Sequence, residues 1–436
     1  SLLNRYNSMK KILRYKHVLS VILSLAIVFF QIITISATPV EIQTDGSIPA
    51  STGEVKLIDE DLNDLGVEID NESEKLEEEK NPDEEVRVII VMEGDSVLDK
   101  GYDTVEIADS SSAIREVDKI ESEQETTVEK ISEEALEGNE LKVNYSFSII
   151  ANAISADVTF KDIEAIEKVD GVEAVYKARR HEPVEMADPA TISSGEMVGS
   201  YQTWATGYTG AGQRIAVIDT GIDVDHPSFD AGAFMAHLKE TAEDSSKEIS
   251  EYGLLDEAEI QNVLPHLNAF KDDENVSADD LYQSEKIPYA FNYIDKDIDI
   301  THDNDEVGDH GTHVSGIATA NYYVPDSNAE EGYATQAQGV VGIAPDAQLL
   351  TMKVFGKNGS PFTDDYMAAI EDAILLKVDT INMSLGSPEA GNTYDSEEYV
   401  NEIFDKLQGT STVVSVAAGN SGRWSENSLI GANLSG

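Results

Sequence analysis

From residue 86 onward the chain alternates between short apolar runs rich in β-branched residues and longer segments of helical composition. Val86 to Met92 reads as a strand, Ser110 to Leu136 as a helix, and Leu141 to Val158 alternates in strand fashion. Phe160 to Val169 is helical again and Val172 to Tyr176 is a further strand. The order β-α-β-β-α-β builds a four-stranded antiparallel sheet with both helices on one face, a ferredoxin-like unit.

Beyond Met197 the pattern changes to apolar strands that end in Gly-rich turns: Arg214 to Ile218, Ala347 to Val354, Thr380 to Met383 and Thr412 to Val416. Helical stretches lie between them, at His310 to Ala320 and Thr363 to Leu375. Buried strands that alternate with helices predict a doubly wound, mostly parallel α/β sheet with its site at the carboxyl ends of the strands. Asp219 falls at one such end.

Composition narrows the partners. The 436 residues suit about two or three domains, and 41% apolar residues can fill a sizeable core. With 30 Lys and Arg against 84 Asp and Glu, the formal charge is -54, a field that repels nucleic acid and anionic membrane surfaces. Nucleic acid is therefore not an expected partner. No cysteine is present, which excludes disulfides and thiolate metal sites.

The N-terminal region is organised differently. Met9-Lys10-Lys11-Ile12-Leu13-Arg14-Tyr15-Lys16-His17 followed by the apolar run Val18 to Ala37 has the profile of a secretory signal. The chain is expected to be secreted or associated with the cell envelope. That run is also long enough to span a bilayer, so a retained anchor stays open, and the membrane is a partner only through one or the other. Ser1 to Ser8 precede the basic segment and are expected to be leader codons. The expected division is 1–37 leader and signal, 38–85 an acidic flexible spacer, 86–182 the α+β unit and 183–436 the α/β unit, with an acidic, partly helical insertion over about 231–286.

The candidate chemistry begins at Arg214-Ile215-Ala216-Val217-Ile218-Asp219-Thr220-Gly221 and Asp309-His310-Gly311-Thr312-His313. An Asp directly after four apolar strand residues is held on a rigid element and can orient an imidazole. It can equally be a strand-capping Asp in a tight turn. His310 opens a helix whose small residues, Gly311, Ser315, Gly316 and Ala318, allow close packing. A lone His is more often structural, and His310 with His313 could be a metal pair, but no HExxH motif or third ligand accompanies them. A third segment follows in order, Val416-Ala417-Ala418-Gly419-Asn420-Ser421-Gly422, a strand ending in an Asn whose amide can donate to an oxyanion.

The Asp strand, the His helix, the Asn turn and Gly207-Tyr208-Thr209-Gly210 together resemble the subtilisin-like serine proteases. The resemblance implies that Asp219 and His310 are two members of a catalytic triad and that Asn420 lies in the oxyanion hole. It also implies that Ser384, Leu385 and Gly386 line one side of a substrate cleft, with Gly359 and Ser360 on the opposing strand, where protein or peptide substrates would add by backbone pairing. Pro361 cannot donate to such a ladder. The α+β unit then resembles the family's propeptide, an intramolecular inhibitor whose tail, Lys177 to Ala187, would occupy the cleft.

Ninety residues separate Asp219 from His310. Ile287-Pro288-Tyr289-Ala290-Phe291-Asn292-Tyr293 and the acidic run after it resemble the large cell-envelope subtilases of the lactocepin and C5a-peptidase-like group, in which a further domain separates the Asn turn from the nucleophilic Ser. The chain is accordingly expected to be an inactive N-terminal fragment of a serine endopeptidase precursor. Gly409-Thr410-Ser411 imitates the nucleophile motif, but Ser411 runs into a strand and precedes the Asn, which breaks the family's order. No cofactor is required for the chemistry. Structural calcium is possible but unsupported: Ile300 stands where an EF-hand loop around Asp295, Asp297 and Asp299 needs Gly, and Ser228 stands where subtilisins place a calcium-binding Asp. The alternative class is an exported non-catalytic pseudoprotease or surface-binding protein.

Overall fold

The computed structural model describes residues 81–183, 195, 197–272, 275–329, 332–335, 341–386 and 398–417. The expected leader, signal and spacer lie outside the described residues. Among the described residues no helix is long and apolar enough to cross a membrane.

The first unit contains β1 (Glu85–Met92), α1 (Ser111–Glu134), β2 (Val143–Phe147), β3 (Ala153–Thr159), α2 (Ile163–Ile166) and β4 (Val172–Lys177). Its four strands form one antiparallel sheet in the order β2-β3-β1-β4. α1 starts where the Ser110 hydroxyl accepts from Ala113 N, and its stripe of Ala113, Val117, Ile120, Gln124, Thr127 and Ile131 is buried. Val88, Ile90 and Met92 of β1 pack with Ile131 and Ile166, while Ile89 joins the larger core that continues into the second unit. Two buried faces explain why β1 reads as a continuous apolar run rather than an alternation. The alternating stretch 141–158 divides into β2 and β3 around a turn at 148–152, and the helical stretch from Phe160 shrinks to one short turn and the four residues of α2. A two-residue strand, β5 (Glu182–Pro183), leaves this unit.

The second unit is built on a five-stranded parallel sheet, ordered β13-β11-β6-β10-β7. Its strands are β6 (Arg214–Asp219), β7 (Tyr289–Asn292), β10 (Gln348–Lys353), β11 (Thr380–Met383) and β13 (Val413–Val416). β8 (Tyr323–Pro325) pairs with β9 (Tyr333–Thr335) apart from it, and β12 (Leu385–Gly386) follows β11. All six residues of β6 are buried, as a central parallel strand requires. The doubly wound α/β class read from the sequence agrees with this sheet. β7 is the strand that pattern alone missed, because four residues beside Pro288 give too short a signal.

Between β6 and β7 lie α3 (Ala231–Asp244), α4 (Glu257–Val263) and α5 (Asn268–Asp272). Then come α6 (His310–Thr319), α7 (Thr363–Leu375) and α8 (Glu398–Gln408). Every residue of α7 is buried, since the parallel sheet covers one side and the first unit and α5 cover the other. It nevertheless carries Asp364, Asp365, Glu371 and Asp372. Buried carboxylates need partners: Arg87 of β1 lies 3.7 Å from Asp364 and 4.0 Å from Asp365, Asp365 also caps the helix by accepting from Phe362 N (2.8 Å), and Glu371 and Asp372 find donors on other elements. Glu371 accepts from the backbone of Ser148 (3.1 Å), Ile149 (2.6 Å) and Ile150 (2.8 Å). Asp372 accepts from Asn268 N (2.6 Å), Ala269 N (3.0 Å) and Tyr293 OH (2.9 Å). Around the rim Lys271 meets Glu121, Lys377 meets Asp109 and Lys406 meets Asp99.

Candidate active site

Asp219 is the last residue of β6 and His310 the first of α6. His310 Nδ1 lies 2.7 Å from Asp219 Oδ1, across 91 positions of sequence. Both are buried, Asp219 at 1% and His310 at 7% exposure. Thr220 N also donates to Asp219 Oδ1 at 2.7 Å. Asp219 Oδ2 has no hydrogen-bond partner among the described residues.

Thr220 joins the strand turn to the histidine helix. Its hydroxyl donates to Gly308 O (3.2 Å) and accepts from Gly311 N (2.8 Å). The two glycines make this approach possible. Gly221 has φ +99°, and a Cβ there would fall 2.2 Å from Ile300 O; a Cβ on Gly311 would fall 2.2 Å from Gly221 O. A larger residue at Gly311 would push the helix off the turn, and one at Gly221 would push the turn off Ile300.

Burial by itself would push the His310 imidazolium down, but the charge of Asp219, its hydrogen bond and the charge of Asp309 outweigh it and hold the proton affinity above the ordinary value. The neighbouring His313 moves the other way, lowered by burial and by the charge of His310. The two therefore do not act as an equivalent pair. An imidazole with Nδ1 tied to a carboxylate presents Nε2 for proton transfer, which is what a general base requires.

The expected cleft residues divide. Leu385 and Gly386 form β12, antiparallel to β5, with Leu385 opposite Pro183 and Gly386 opposite Glu182. Ser384 precedes them, its hydroxyl accepting from Asn382 Nδ2 at 3.0 Å. On the other side the pairing falls at 361–363 rather than at Gly359 and Ser360. His181 N donates to Pro361 O (2.9 Å), Thr363 N donates to Arg179 O (2.9 Å), and Arg180 bridges Phe362. Pro361 is tolerated because only its carbonyl is used. Gly359 instead closes a turn with Gly356 through two backbone bonds. Residues 179–183 thus lie as a strand between two edges, and His181, buried to 1% exposure, sits against Thr363 Oγ1 (3.3 Å) and the edge of Tyr366. Burial, with Arg179 nearby, pushes His181 down to about 4.

Asn420 lies outside the described residues. Ser411 is far from His310: it precedes β13 at the opposite end of the parallel strands from Asp219, about 20 Å along their direction. Its amide and hydroxyl both donate to the Asp103 carboxylate, at 3.0 and 2.8 Å. The acidic loop after β7 is also engaged by protein donors. Asn292 Nδ2 reaches Asp295 and Asp297. Asp299 is partly buried, which works against ionisation, yet hydrogen bonds from Asn304, Thr301 and Lys357 and the Lys357 charge hold it down at about 2. Among the described residues no group of three His, Cys, Asp or Glu is placed to hold a metal ion. Sequence reading missed His181, Glu371, Lys353 and Asp305, none of which carries a local signal.

The subtilase family profile matches residues 210–433, just over half of the chain, and the peptidase inhibitor I9 profile matches 87–182. The PI-type proteinase of Lactococcus lactis subsp. cremoris is 28% identical over 356 residues, covering 80% of this chain and 16% of that protein. The minor extracellular protease Vpr of Bacillus subtilis (strain 168) is 26% identical over 257 residues, covering 56% of this chain and 24% of that protein. This chain therefore spans less than a quarter of either relative. Among solved structures, fervidolysin from Fervidobacterium pennivorans, described as a keratinolytic enzyme related to subtilisin, aligns at 17% identity with a TM-score of 0.39, over 77% of this chain and 40% of that one. With the Asp strand and the His helix brought together on a parallel sheet and the family profile spanning both, this chain belongs to the subtilase family.

Proposed function

We propose that the chain carries the propeptide and the Asp/His part of the active site of an exported serine endopeptidase. The observation that carries the reading is the 2.7 Å contact between His310 Nδ1 and Asp219 Oδ1 at the carboxyl edge of the sheet. In this reading His310 takes the proton of a nucleophilic serine and later returns it to the leaving amine. Asp219 orients the imidazole and stabilises the imidazolium, and Asn420 donates to the oxyanion of the tetrahedral intermediate.

Residues 179–183 are placed as a peptide substrate would be, paired on both sides, so the first unit acts as an intramolecular inhibitor of the second. Protein or peptide chains are the substrates, bound along Ser384, Leu385 and Gly386 and along the segment that follows Gly359 and Ser360. The basic and apolar N-terminal segment directs export, to the medium or the cell envelope. The one Gly-Thr-Ser of these residues, 409–411, leads into β13 with Ser411 on Asp103 and not beside His310, so in this reading the 436 residues by themselves are without peptidase activity.

Expressing the whole gene product tests this. Hydrolysis of a peptide substrate that His310→Ala reduces by about 1000-fold or more supports the assignment. A folded whole product with no turnover points to the non-catalytic class. Turnover by the 436-residue chain itself, abolished by His310→Ala, would defeat the proposal that it is inactive.

A further inference from the structure

We propose that Lys353 and Asp305 form a buried ion pair that positions the Asp219–His310 couple, an inference that rests on the catalytic reading of that couple given above. β10 lies beside β6 in parallel register, which sets Lys353 opposite Asp219 at the end of the sheet. Val354 N donates to Asp219 O at 2.9 Å, so the two backbones are joined there. The Lys353 ammonium donates to Thr220 O (2.8 Å) and to Asp305 Oδ2 (2.6 Å), with the two charged side chains exposed by only 1% and 2%.

Thr220 is thereby held at three points. Its N–H is on Asp219 Oδ1, its hydroxyl is on Gly308 and Gly311 at the start of the histidine helix, and its carbonyl is on Lys353. Asp305 completes the circuit on the other side, since its Oδ1 accepts from Val307 N (3.1 Å) in the segment that leads to His310. A buried ion pair is a poor device for stability alone, because desolvation of both charges offsets their attraction and an apolar pair of similar volume is often as good. Its use here is geometric: it fixes the carbonyl of the residue whose amide and hydroxyl set the separation of Asp219 from His310. Neither residue reaches the reacting atoms, so both are positioning residues.

The experiment is histidine NMR titration of the full chain with labelled imidazoles. The groups acting on His310 are Asp219 from β6 and Asp309 and His313 from its own helix. The double variant Lys353→Met/Asp305→Asn removes both charges of the pair and leaves none unpaired. The expected result is a fall in the His310 value toward the ordinary one and loss of the Nδ1–H resonance to exchange. Folding is checked by near-ultraviolet circular dichroism. A folded double variant with the wild-type His310 value and resonance overturns the inference.

Should the double variant not fold, the charge-conserving Lys353→Arg is titrated instead. Loss of positioning lowers the His310 value, and a folded variant with the wild-type value overturns the inference. A wild-type His310 without a raised value fails in a different way, because it removes the catalytic reading as well.

Discussion

His310 and His181 are both buried imidazoles, yet their proton affinities move in opposite directions. Burial disfavours the charged form of each. His310 has Asp219 at 2.7 Å and Asp309 beside it, and those charges overcome the burial. His181 has only the Thr363 hydroxyl at 3.3 Å, the edge of Tyr366 and the like charge of Arg179, and its Nδ1 has no partner among the described residues. Burial therefore decides nothing by itself; the neighbour does. One histidine is suited to move a proton, and the other serves as a neutral filler of an apolar slot.

The comparison breaks most sharply at Asp219. Asp219→Asn is expected to convert His310 into a second His181, with its proton affinity falling below the ordinary value in an NMR titration. In the whole gene product it should lower peptide turnover by about 10⁴-fold. A variant in which His310 stays raised would show that Asp309 alone suffices.

The next effect is read by pH. His181 is about 6.5 when exposed and about 4 when docked, so the docked tail binds fewer protons than the free one. Its contribution is present above 6.5 and is lost as pH falls toward 4, to a total on the order of 3 kcal/mol. Amide exchange at His181 and Glu182 should rise steeply over that window. A flat profile would mean that the imidazole keeps its proton inside the slot.

Glu371 extends the comparison to a carboxylate. Burial raises it to about 7 even though three backbone amides of the first unit favour its charge. Glu371→Gln is expected to cost about 2 kcal/mol of docking, read as faster amide exchange at Ser148, Ile149 and Ile150. No change there would assign the docking to the apolar contacts. The smallest effect belongs to His181→Phe, which keeps a ring against Tyr366 and removes the ionisation. Stability at pH 7 should change by less than about 1 kcal/mol, while the loss of docking between 6.5 and 4 disappears from the exchange profile.

The elements were largely legible in the chain itself. Helix Thr363 to Leu375 and strand Thr380 to Met383 coincide with the residues that pattern singled out, and α1 begins one residue after Ser110. Periodicity and caps are carried by neighbours in sequence, so local reading reaches them. The phasing of β-α-β-β-α-β and the parallel sheet followed from the order of those elements. Asp219 and His310 were singled out because each sits at an element boundary within a recognisable motif.

Tertiary structure alone decided the rest. Whether Asp219 caps a turn or holds an imidazole depends on a contact 91 positions away, made possible where Gly221 and Gly311 let a turn and a helix touch. Lys353 stands against Asp219 only because β10 adds to β6 in one parallel register, and Glu371 finds its donors more than 220 residues back in the chain. The opposite behaviour of His310 and His181 belongs to this second kind. A side chain's identity sets its ordinary proton affinity, but the desolvation and the nearby charges that move it are properties of the folded neighbourhood, which no window along the sequence contains.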